Sequence, residues 1–97
     1  MEAVMSEQVD VLRLGERRYA AEVHEGEQTT EHRVTFGQDT LEDLTSPPPA
    51  ENEVVAESVR YLLEKEPSTS LPHDIDLGEI RRTDAEFIPE LRARLGG

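Results

Sequence analysis

The hydrophobic period of this chain changes once, at Ser46-Pro47-Pro48-Pro49. Before that point stand three short runs, VDVLRL, RYAAEVH and TEHRVTF, rich in β-branched and aromatic residues. After it, EVVAESVRYLLEKE spaces its apolar residues at 54, 55, 59, 62 and 63. A period of two buries one face of a strand, whereas a period of 3.6 buries one stripe of a helix. The order therefore predicts a three-stranded antiparallel meander followed by a main helix and shorter C-terminal helical segments packed on the sheet. Strands grouped ahead of helices are the mark of an α+β fold.

Turn residues at Gly15-Glu16 and Glu25-Gly26-Glu27 separate the runs, and side-chain parity sets an expected register. Tyr19 opposite Phe36, Ala21 opposite Val34 and Val23 opposite His32 make one apolar face. A two-residue turn at Gly15-Glu16 extends it, with Leu12 opposite Tyr19 and Leu14 opposite Arg17. The same parity gathers Val9, Val11 and Ala20 on the other face, beside Glu22 and Arg33. That patch asks for cover, by the C-terminal helix or by a second protein chain.

In the second half, Asp39-Thr-Leu-Glu42 has capping-box spacing and predicts one helical turn. The main helix is expected over residues 50–66, with Val55, Val59, Leu62 and Leu63 on the Leu12, Tyr19, Val34 and Phe36 face. It should stop before Pro67, leaving STSLPHDID irregular. A short helical turn over Leu77–Ile80 and a final helix bearing Phe87, Ile88, Leu91 and Leu95, capped by Asp84, complete the chain. Residues 1–8 lack periodicity and are expected to form a disordered leader, with a single small α+β domain over 9–97.

Composition narrows the function classes. The 97 residues carry 22 acidic and 10 basic side chains, a formal net charge of -12, and no cysteine. Disulfides, thiolate metal sites, iron–sulfur clusters and thiol nucleophiles are thereby excluded. The negative surplus repels phosphate backbones and anionic headgroups, so neither nucleic acid nor membrane is an expected partner. No apolar run approaches the length of a membrane span, which points to a soluble, cytoplasmic protein. Neither a glycine-rich phosphate loop nor a nucleophile elbow occurs, and no cofactor is expected.

Three histidines are where acid–base or metal chemistry would begin. His24 and His32 are expected on opposite sheet faces, with His32 a structural residue at the core edge. His73-Asp74-Ile75-Asp76 is the densest polar constellation, and His73, Asp74 and Asp76 could together hold a divalent cation or act in base catalysis. The ending Arg94-Leu95-Gly96-Gly97 resembles the tails of ubiquitin-like modifiers and sulfur carriers. Those families lead into the tail from a strand, whereas here the preceding residues read as a helix, for which Gly96-Gly97 is a natural stop.

From Tyr61 the run Tyr-Leu-Leu-Glu-Lys-Glu-Pro67, then Asp76-Leu77, Ile80 and Phe87-Ile-Pro-Glu90, resembles short uncharacterised bacterial proteins over about Val54–Leu91. The resemblance implies no activity. The absence of catalytic signatures and the spare Val9, Val11 and Ala20 surface favour a non-enzymatic protein acting through a protein partner or as a homodimer. A small metal-dependent protein or enzyme built on His73, Asp74 and Asp76 is the competing expectation.

Overall fold

The first hairpin sets which side of the sheet is buried. Strand β1 (Glu7–Gly15) runs into a two-residue turn at Glu16-Arg17 and returns as β2 (Arg18–Glu25). Arg17 takes a left-handed φ of 56° there, a conformation that is costly for a residue with a Cβ. The pairing then shifts between Arg13 and Gly15, leaving Leu14 as an extra, unpaired residue. One inserted residue rotates everything before it to the opposite face. Val9 is thus opposite Val23 and Val11 opposite Ala21, while Leu12 is opposite Ala20. The expected partnership of Leu12 with Tyr19 is overturned by this bulge, and so is the grouping of Val9 and Val11 with Ala20. Val9 is buried and Val11 packs against the core.

The structure, a computed structural model, describes residues 7–44 and 50–96. Glu7 and Gln8, expected in the leader, already belong to β1; residues 1–6, the Pro47–Pro49 run and Gly97 lie outside the described residues. A second two-residue turn at Gly26-Glu27, with Gly26 at φ 61°, joins β2 to β3 (Gln28–Thr35). Glycine carries no penalty at that φ. The tight turn gives a register two residues from the expected one: Tyr19 is opposite Val34, Ala21 opposite His32 and Val23 opposite Thr30. A shift of two preserves the faces. Phe36, just beyond the strand, still stacks on Tyr19 with ring centroids 6.1 Å apart.

Helices α1 (Gln38–Glu42) and α2 (Glu51–Leu63) follow, then a 3-10 turn at Ser68–Ser70. The chain next forms a short strand, β4 (Asp74–Asp76), where an irregular segment was expected. It lies parallel to β3, with Val34 opposite Ile75, so the sheet has the order β1-β2-β3-β4. Three residues are too few to show a period, and a parallel neighbour is reached only through the crossover that α1 and α2 provide. Helix α3 (Leu77–Thr83) starts where Asp76 Oδ1 accepts from the Gly78 amide at 2.9 Å, and α4 (Phe87–Gly96) closes the fold.

Both long helices lie on one side of the sheet. Helix α2 buries Val54, Val55, Val59, Tyr61 and Leu63 against Val9, Ala21, Val23 and Val34, and α4 packs on α2 with Phe87 and Leu91 fully buried. Leu62, expected in the core, sits at its margin beside Leu71, Pro72 and Ile75. Arg81 pairs with Asp39 and Asp43 to tie α3 to α1, and Arg92 donates to the carbonyls of Asp43 and Leu44. His32 is buried on the helix side, as expected of a structural residue. Its Nδ1 faces the Pro72 carbonyl at 2.7 Å and its Nε2 the Thr30 hydroxyl at 2.9 Å. A carbonyl can only accept, so Nδ1 donates to Pro72.

Candidate functional site: the open face of the sheet

The face of β1, β2 and β3 turned away from the helices is ordered in cross-strand rows. Gln8, His24 and Thr29 form one row, Asp10, Glu22 and Glu31 the next, and Leu12, Ala20 and Arg33 the third. Antiparallel pairing places the side chains of a row about 4.5–5.5 Å apart at Cβ, so their chemistry is shared.

The third row is apolar at the β1 edge. Leu12 is 65% exposed and Leu14 48%, the large hydrophobics most open to solvent among the described residues. Ala20 between Leu12 and Arg33 leaves a shallow depression of about 180 Å³, which also touches Asp10, Glu22 and Glu31. Leu14, Ala20, Arg33 and His73 line a second depression alongside. The final helix does not provide the cover anticipated for this face, because Phe87 and Leu91 are spent in the core on the other side. Beyond Leu12 lies the outer edge of β1, which among the described residues pairs on one side only.

The second row is carboxylate throughout, and His24 reaches into it from the first. His24 Nε2 is 3.3 Å from Asp10 Oδ2 and 3.2 Å from Glu22 Oε1, while its Nδ1 is 3.2 Å from Thr29 Oγ1. Gln8 Nε2 donates to Asp10 Oδ1 at 3.3 Å. One donor atom from each of Asp10, Glu22 and His24 falls within 4.8 Å of the others. Among the described residues, this is the set of three histidine or acidic side chains that converges closely enough to share an ion.

The constellation singled out by sequence does not converge. His73 Nε2 stands 4.0 Å from Asp74 Oδ1, both side chains are largely exposed, and Asp76 is engaged at the start of α3. His73 contributes through its backbone, its carbonyl accepting from the Arg33 amide at 2.7 Å in the β3–β4 pairing. Gly96 is the last residue of α4, and its neighbour Gly97 lies outside the described residues. The Asp10, Glu22 and His24 set had a sequence signal, since all three are at even positions in β1 and β2. Without the bulge at Leu14, however, parity assigns Asp10 to the opposite face.

Among the described residues no helix is long and apolar enough to cross a membrane. Compared with known proteins, the chain matches no family model, no curated protein and no solved structure.

Proposed function

We propose that this chain is a non-enzymatic protein-interaction module that docks through the open face of its sheet. The observation that carries the reading is the exposure of Leu12 and Leu14 on a face without helical cover. Full burial of a leucine is worth about 1.5–3 kcal/mol, so a partner covering both gains a substantial apolar anchor. The free edge of β1 adds unpaired backbone groups to which a strand of the partner can hydrogen-bond. The acidic row beside the leucines favours a partner presenting basic side chains around an apolar centre, and steers its approach.

The test is the double variant Leu12→Glu/Leu14→Glu. Both side chains are exposed, so circular dichroism should show the fold intact. Sedimentation of the purified protein reports association with a second copy, and cross-linking in the native host reports association with other chains. The variant is expected to lose whichever association the parent protein shows. Identical sedimentation and an identical cross-linked set would overturn the reading.

A further inference from the structure

We propose that Asp10, Glu22 and His24 form a binding site for a divalent first-row transition metal ion, of which zinc is the working probe. The site adjoins Leu12 on the same open face, but the inference stands on the His24 and carboxylate geometry and does not rest on the docking reading.

Two of the three donor–donor separations already fit an ion, and the third lies within 4.8 Å. The two Nε2–oxygen separations, 3.2 and 3.3 Å, suit a tetrahedral ion: with bonds of about 2.0–2.1 Å, neighbouring donor atoms stand about 3.3 Å apart. The donors come from two adjacent strands whose register fixes them relative to one another, Asp10 directly opposite Glu22 and His24 one row on. The imidazole is also oriented from behind, where Nδ1 meets Thr29 Oγ1. Metal-binding histidines are held in this way by a partner on the second nitrogen.

A separate electrostatic observation calls for a cation at this place. Glu31 is directly opposite Glu22, which is directly opposite Asp10, so three carboxylates stand side by side across three strands. Like charges in facing positions destabilise a sheet. Among the described residues, no arginine or lysine pairs with any of the three, and His24 Nε2 is the ring nitrogen that meets Asp10 and Glu22. Arg33 is nearby in the next row, but it does not pair with them. A bound divalent ion would supply two positive charges where a protonated imidazole supplies one.

Donor chemistry then selects among ions. One imidazole nitrogen with two carboxylates suits zinc and its first-row neighbours, whereas magnesium and calcium prefer sets made wholly of oxygen. Three protein donors leave a coordination position open, and the depression floored by Ala20 gives room beside the carboxylates for the water or external donor that would fill it.

The experiment is titration of the chelator-treated full chain with zinc, followed by calorimetry and by amide NMR. Expected are one ion per chain, amide shifts centred on Asp10, Glu22 and His24, and no matching response to magnesium. His24→Ala and Asp10→Asn should each weaken binding by about tenfold or more. Both positions are on the solvent side, so circular dichroism should show folded proteins. Should His24→Ala fail to fold, Asp10→Asn alone decides. The Leu12→Glu/Leu14→Glu variant should keep its zinc, which separates this site from the docking reading. Absence of saturable binding, binding unchanged in the variants, or shifts centred on residues 73–76 would overturn the proposal.

Discussion

The Tyr61 hydroxyl donates a 2.7 Å hydrogen bond to Asp84 Oδ2, joining the middle of the fold to the turn that leads into α4. The other oxygen of Asp84 accepts from the Glu86 amide at 3.0 Å. Burial of the phenol, reinforced by the bond to Asp84, pushes the Tyr61 pKa up to about 12. The Tyr61 bond, then the Glu86 amide, holds the Asp84 carboxyl below its ordinary range.

Opposite signs follow at the two ends of the pH scale. Tyr61 is harder to ionise folded than unfolded, so its contribution is whole below about pH 10 and drains away as the pH climbs through about 12. Asp84 is easier to ionise folded, so its contribution is present above the usual carboxylate value and is lost as the pH falls through its lowered one. Tyr19 is also raised by burial, so ultraviolet titration should show neither of the two tyrosines ionising at its ordinary pKa near 10 while the protein is folded. In Tyr61→Phe the Asp84 carboxyl should titrate closer to an ordinary aspartate, a shift that carbon-detected NMR would read.

His32 joins β3 to the segment ahead of β4, using both ring nitrogens while buried. Replacing it with Leu keeps the volume but strips the Pro72 carbonyl of its donor. The expected cost is about 0.5–1.5 kcal/mol in chemical denaturation, the net worth of a lost hydrogen bond. A loss below about 0.5 kcal/mol would show that solvent reaches the carbonyl.

Leu91 and Leu62 should respond differently to truncation. Leu91 is fully buried between α4 and α2, so Leu91→Ala is expected to cost about 2–5 kcal/mol. Leu62 lines a groove with Leu71, Pro72 and Ile80, where solvent can fill the space it leaves, and its truncation should cost less than half as much. Equal losses from the two denaturation curves would contradict this placement.

Ser58 lies fully buried on α2, and among the described residues its hydroxyl has no hydrogen-bond partner. Burying an unpaired hydroxyl costs about 1–3 kcal/mol in protein mutational data. Ser58→Ala removes the oxygen without crowding its neighbours. The variant should therefore melt above the parent protein in a calorimetric scan, and a lower melting temperature would reveal a hidden partner for the hydroxyl.

The faces of β2 and β3 were legible because Tyr19, Ala21, Val23, Val34 and Phe36 keep a strict period of two. Their register was not, because sliding by two residues leaves that period intact; only the tight turn at Gly26-Glu27 chooses between the options. The face of β1 was ambiguous for a different reason. Val9 and Val11 are apolar at odd positions and Leu12 and Leu14 at even ones, so the run carries both phases. Strand β4 was illegible because a parallel partner is specified by tertiary packing of one side chain, Ile75, rather than by local pattern. The ligand-like set at Asp10, Glu22 and His24 inherited the error in β1, whereas His73, Asp74 and Asp76 stood out only through being adjacent in sequence.

The bulge at Leu14 also means that β1 has a competing alignment within reach. If Leu14 paired with Tyr19, the strand would slide by one residue and turn Leu12 and Leu14 toward the helices in place of Val9 and Val11. The exchange is almost even in apolar content. What breaks the tie is Asp10, which the slipped alignment would force into the core, where an unpaired carboxylate costs several kcal/mol. Asp10 therefore decides which of two nearly equivalent sheets the chain builds, and an apolar residue there would let the protein populate both.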